Sequence, residues 1–254
     1  MTKKNMCRRL IVAFTLVLAT TAFAQTEADF VVQLNEDGDG VIIIGYKGTT
    51  TQVRIPATIE GLPVVRINVR PFSNNSKITS VVIPEGMVRI GNRAFENCSN
   101  LASVTLPQSL RIIDDGAFLG CTKLKSITLP EQLEIIERTA FYGSGLTAIR
   151  IPPSVKTIGI RAFLGCKALA TVEFSEGLIT IDGDAFLECT ALRTITLPST
   201  LENIWGAFGG CTSLTTVNIP ENSALKSIKG GTFWRCPLNH ASQTRLRQYG
   251  YNHQ

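Results

Sequence analysis

Apolar positions along this chain fall in one repeated order. In residues 121–141, "CTKLKSITLPEQLEIIERTAF", Leu124, Ile127 and Leu129 precede Pro130, and Leu133, Ile136 and Phe141 follow it. Residues 98–118, "CSNLASVTLPQSLRIIDDGAF", repeat the sentence. Phe72, Phe95, Phe118, Phe141, Phe163, Phe186, Phe208 and Phe233 mark the beat, at spacings of 23, 23, 23, 22, 23, 22 and 25. Self-similarity at such a period is the mark of a stacked repeat. The alternation at "ITL" predicts a short half-buried strand that the proline, lacking a ladder donor, brings to an end. Leu133, Ile136 and Phe141 then turn their side chains back to the same interior.

One unit cannot bury its own apolar edge, so neighbouring units must stack. The expected fold is an α/β-type repeat solenoid, mostly β and irregular. It forms a curved arc with a parallel sheet on the concave side, and eight coils stacked about 4.8 Å apart span roughly 35–40 Å across the strands. Residues 25–254 are expected to form a single domain: an N-terminal β cap at 25–51, about eight repeats of 22–23 residues at 52–238, and a C-terminal cap and tail at 239–254. In the first cap, "FVVQL" and "VIIIGY" flank "NEDGDG", the pattern of a hairpin around a Gly-containing turn. In the last, Ser242 is expected to cap a short helix through "QTRLRQY" that Gly250 ends.

The units "LPEQLEIIERTAFYGS" and "LPQSLRIIDDGAFLGC" resemble the treponemal-type, or BspA-like, leucine-rich repeat, and the lead-in "GYKGTTTQVRIPATIEGLPVVRI" is similar to the start of such arrays. The resemblance covers about residues 29–250. It implies a curved leucine-rich repeat solenoid with an extracytoplasmic interaction role, and no catalytic residues. Some relatives bind host surface or matrix proteins. Ser144 departs from the pattern by standing where the other coils have Cys.

Residues 1–24 stand apart. Lys3, Lys4, Arg8 and Arg9 precede a ten-residue apolar run from Leu10 to Ala19, and the stretch closes on Ala22-Phe23-Ala24. That order reads as a cleavable secretory signal cut before Gln25, with an apolar run too short to cross a bilayer. No anchor is expected, so periplasm, outer surface and medium are all open. Without these four basic residues the chain has 21 basic and 20 acidic residues, a net charge of +1. No basic cluster with aromatics points to nucleic acid.

Candidate chemistry is sparse, and no cofactor, metal or catalytic residue is expected. Cys98, Cys121, Cys166, Cys189, Cys211 and Cys236 share one column three residues after each Phe. They fit buried thiols with parallel side chains better than disulfides, although adjacent coils lie near bridging distance. Asn35, Asp37, Asp39 and Gly40 imitate a calcium loop, but Tyr46 stands where a closing Glu belongs. The two histidines, His240 and His253, both lie at the C-terminal end. Asp114, Asp115, Glu137 and Asp182 read as surface charge on a solvated ridge.

Function is therefore expected at the positions that vary. One group is a concave face of Thr105, Lys125, Thr128, Arg150, Glu173, Arg193 and Thr196. The other is an apolar stripe of Leu119, Tyr142, Leu164, Leu187, Trp205 and Trp234. The first suits a protein partner, adhesin-like and at a host surface, matrix or envelope. The second suits self-association into a homo-oligomer or an envelope assembly. A hydrolase is the least favoured reading, for want of a base beside a nucleophile.

Overall fold

The computed structural model of the chain describes residues 25–252; the secretory-signal reading of residues 1–24, with Cys7, and His253 lie outside them. A β-hairpin of Phe30–Leu34 and Val41–Tyr46 covers the first coil. Asn35 closes its turn by accepting from the backbone N–H groups of Asp39 and Gly40. Eight coils follow, and the helix His240–Arg247 lies on the last. Its N-cap is Asn239, whose side chain accepts from Ser242 N at 2.8 Å. The expectation that Ser242 caps the helix is corrected: Ser242 is buried one turn inside, and its Oγ accepts from Val217 N. Asn239 takes the cap because it extends from the last coil, leaving Ser242 free to tie the helix to a strand. Leu246 is fully buried against the core.

Seven of the eight coils carry two strand segments where the apolar pattern predicts one; in the coil of residues 121–141 the strand expected at Ile127–Leu129 does not form, and the ladder breaks there. The segment before the proline forms parallel sheet in three pieces. These join Gln52–Arg54 to Ser80–Val82 and Ser103–Thr105, Ala148–Ile151 to Thr171–Phe174, and Thr194–Thr196 to Thr216–Asn218. The other half of the coil holds the longer ladder. It runs unbroken from the hairpin through Leu62–Ile67, Arg89–Ile90, Ile112–Ile113 and Ile135–Ile136 to Ser227–Lys229. Its inward residues Ile90, Ile113, Ile136, Ile158, Ile181 and Ile204 are essentially inaccessible to solvent. Strands of two or three residues contribute one buried side chain each, too few for alternation to show in sequence.

Between the two strand segments the chain turns around the Phe. The residues two before and two after it hold φ between +50° and +69° in every coil, whether Gly or not. Thr139, Arg161, Asp184 and Glu188 all sit in this left-handed region, which costs a non-Gly residue about 1–2 kcal/mol. The conformation persists because it aims backbone N–H groups at the next coil. Phe118 N donates to Ala140 O and Gly120 N to Tyr142 O, both at 2.8 Å, and the same pair of bonds recurs along the stack.

Inside the turns the Phe rings stack at centroid distances of 4.9–5.7 Å, with planes within 11° from Phe72 to Phe233. Each such pair adds about 0.5–1.5 kcal/mol beyond the area it buries. Phe30 and Tyr46 extend the column at one end and Tyr251 closes it edge-on at the other.

Beside the rings, the six cysteines of the described residues are free and buried. Each Sγ donates to the Phe carbonyl of the preceding coil, at 3.1–3.3 Å. Ser144 keeps the column polar, with its Oγ 3.3 Å from Cys166 Sγ. Its coil is also one residue short, with only Gly145 between Ser144 and Leu146. The shortcut requires glycine, since a Cβ there would lie 2.1 Å from Thr122 O.

Four outcomes follow from this packing. Phe141→Ala leaves a gap that stacked neighbours cannot fill, and should cost about 3–5 kcal/mol, lowering Tm by roughly 10 °C; an unchanged Tm contradicts the ring column. Glu188→Gly, at an exposed left-handed position, should instead stabilise by about 0.5–1 kcal/mol, read as a higher midpoint in urea. The thiols should not react with a disulfide reagent in the folded protein and should react fully in guanidinium. Burial pushes Cys98 up to about 12 and Cys166 up to about 11. Their neutral forms are favoured by folding, so this stability is complete below the ordinary thiol value of about 8.5 and is lost as pH climbs through the raised values. Tm should therefore fall on alkaline titration above about pH 9, less steeply in Cys166→Ala.

Candidate interaction surfaces

The broken ladder turns alternate side chains in and out. Val104, Ile149, Val172 and Ile195 point to the core, while Thr105, Arg150, Glu173 and Thr196 are exposed on the same strands. Thr128 continues that column through the coil between, and Lys125 and Arg193 form a second exposed column three residues earlier. The fold thus brings all seven residues expected to meet a partner onto the outward side of one ladder. Arg150 and Glu173 are register partners. Even so, the Arg150 guanidinium bonds to Glu131 at 2.6 Å on the preceding coil. Lys125, Glu173 and Arg193 make no ion pair or side-chain hydrogen bond. Thr196 accepts from Asn218 Nδ2 and Thr216 from Asn239 Nδ2.

The six residues of the apolar stripe are not brought together in one exposed patch. Leu119, Leu164 and Leu187 are half-buried. Leu187 leans over the next coil, with its Cδ1 2.9 Å from where a Cβ would stand on Gly209. Tyr142 and Trp234 are exposed, 39% and 49%, but four coils apart along the column. Trp234 carries the Arg235 guanidinium 4.2 Å above its ring. Trp205, 45% exposed, stands on the long ladder beside Lys229 and outside the Phe-following column.

Asp114 is a correction to the ridge of surface charge. It is buried, and the Arg89 guanidinium holds it at 2.7 Å. The reason is its place immediately after the core Ile113, beside an arginine on the preceding coil. Burial raises the Asp182 carboxyl above its ordinary value. Asp115 accepts from the Thr139 hydroxyl. Glu137 is exposed, and so is His240 on the cap helix. Among the described residues no group of three or more His, Cys, Asp or Glu side chains is placed to hold a metal ion, and no helix is long and apolar enough to cross a membrane.

One feature has no counterpart in the pattern of apolar positions. A cleft of about 510 Å³ opens beside the N-terminal hairpin, between its turn and the outward side of the long ladder. Arg66, Arg89 and Arg111 line it together with Glu36, Asp37 and several aliphatic residues. Arg66 and Arg89, 23 residues apart, are register partners, and that period was the available sign that they share a face; Arg111 stands one position before Ile112, the register partner of Arg89.

The fold is similar to that of known proteins. A leucine-rich repeat protein of Treponema pallidum, TpLRR, is 29% identical, with 90% of this chain and 96% of that one covered at a TM-score of 0.67. A leucine-rich repeat protein from Bacteroides ovatus is 30% identical over 82% of this chain, at a TM-score of 0.71. The match spans about half of that longer protein, 55%. No curated protein matches the chain. The family model described as the BspA type leucine rich repeat region matches residues 46–159 and 134–249. With the ring column, the twin ladders and the repeat period all in register with that pattern, the chain belongs to the BspA-type leucine-rich repeat family.

Proposed function

We propose that this protein is exported and acts as an adhesin-like interaction scaffold, binding a host surface, matrix or envelope protein through the outward side of the broken ladder. The observation that carries the reading is the unpaired charge of Lys125, Glu173 and Arg193, set among exposed threonines on a rigid stack. Long side chains with no partner of their own keep their hydrogen-bonding capacity for another molecule, and repeat solenoids offer such extended surfaces for binding. Alternating signs on one face favour a partner with a complementary mixed surface over a polyanion.

A second reading, self-assembly through Tyr142, Trp205 and Trp234, is favoured by their exposure, since aromatic side chains are frequent anchors of interfaces. The separation of Tyr142 from Trp234 along the column ranks it below the first.

Surface plasmon resonance against a panel of matrix and surface proteins tests the first reading. The triple variant Arg150→Glu, Glu173→Lys, Arg193→Glu should keep its Tm and lose at least about tenfold in affinity, the effect of removing a few charged contacts at an interface. Folded protein that binds no member of the panel, or a triple variant that binds as tightly as the wild type, counts against it. Light scattering separates the second reading, because a large wild-type oligomer dispersed by Trp234→Ser would support self-assembly.

A further inference from the structure

The cleft beside the hairpin is built, and its construction has a chemical direction. Gly40 clamps the hairpin onto the first coil: a Cβ there would lie 2.8 Å from Val65 Cγ1 and 3.2 Å from Pro63 O. The turn that precedes Gly40 is thereby held over the long ladder, carrying Glu36 and Asp37 to the rim. Below it, Ile42, Arg66, Arg89 and Ile112 lie side by side in register on successive strands. Val65 and Val88 complete an aliphatic floor, with Val88 49% exposed.

The charges of this cleft are unequally satisfied. Arg89 is paired with Asp114 at 2.7 Å and Arg111 with Glu134 at 3.6 Å. Arg66 lines the cleft and makes no ion pair or side-chain hydrogen bond. Glu36 and Asp37, across the cleft, have no ion pair or side-chain hydrogen bond either. The vacant valences are thus one guanidinium fork, two carboxylates and an apolar surface between them. The volume falls in the range of small-ligand clefts, about 300–1,000 Å³.

We propose that the cleft binds a short apolar peptide by its two free ends. The peptide's C-terminal carboxylate takes the Arg66 fork, in the bidentate geometry that guanidinium groups favour. Its ammonium group sits at Glu36 and Asp37, and its side chains lie on Ile42, Val65, Val88 and Ile112. A simple anion would leave the acidic rim unmatched, and a polyanion would be repelled by it. The site is distinct from the broken ladder, and its occupancy does not depend on the adhesin-like reading.

Isothermal titration of the purified protein with trileucine, its N-acetyl form, its C-terminal amide and the doubly blocked form tests the proposal. Trileucine should bind, and amidation should weaken it about tenfold, as loss of a charge-assisted pair does. Arg66→Gln should cost the free peptide the same factor and the amide nothing further. The double variant Glu36→Gln, Asp37→Asn, confined to an exposed turn, should show the same relation with acetylation. If Arg66→Gln fails to fold, the blocked peptides still probe both contacts on the wild-type protein. The proposal is overturned if trileucine does not bind at millimolar concentration, if the doubly blocked form binds as well as the free one, or if acetate or inorganic phosphate binds as tightly as trileucine.

Discussion

Everything in this molecule is arranged around a column of aromatic rings. Strands of adjacent coils must lie about 4.8 Å apart to share backbone hydrogen bonds, and the rings stack at 4.9–5.7 Å. The two spacings are compatible only if each coil brings its Phe to the same height and position, so the length of a unit is nearly fixed. Deviations occur where the backbone can absorb them. The unit of 25 residues carries two extra between Pro220 and Ile228, in a turn that touches neither strand ladder. The short unit around Ser144 closes up through a glycine against the carbonyl of Thr122. Where Cys is absent the coil is also short: Ser144 and Gly145 are one accommodation.

The same constraint explains the strained turns. A left-handed residue on each side of the Phe costs free energy wherever it is Thr, Arg, Asp or Glu. What it gains is direction, because the alternating backbone sends N–H groups to the next coil on both sides of the ring. Side chains add further ties between coils. The Glu176 carboxylate accepts from Ser199 and Thr200 of the next coil, and these bonds hold it below its ordinary value. The Glu85 carboxylate likewise accepts from the backbone N–H groups of Gln108 and Ser109 on the next coil. Stability is thus mostly an interface property, the nearest-neighbour behaviour of stacked repeats.

Much of this was legible in the sequence because the period is strict and the core positions are few. The Phe beat located the stack, the cysteines marked an inward column, and "NEDGDG" marked the hairpin. The long ladder was not legible, since strands such as Ile135–Ile136 offer one inward residue each. Nor was the cap, because Asn239 and Ser242 are both good N-cap residues and only the position of the last coil selects between them. Of the candidate surfaces, the outward columns of the broken ladder could be read from alternation. The apolar stripe could not be judged, because a Leu following the Phe either leans over its neighbour or faces water, and the local sequence is the same in both cases.

Where the stack is regular, each outward position repeats a neighbour, and a surface of that kind suits a broad, shallow contact. A concave site needs a break in the repetition. The N-terminal hairpin supplies it: its strands join the long ladder while its turn projects past the ladder's edge and is held there by Gly40 against Val65. Arg66 and Arg89 both line the cleft beside that turn. Arg66 is left without an ion pair while its register partner Arg89 finds Asp114 on a neighbouring coil. The cap that shields the first coil from water also encloses a charged recess that no regular coil could form.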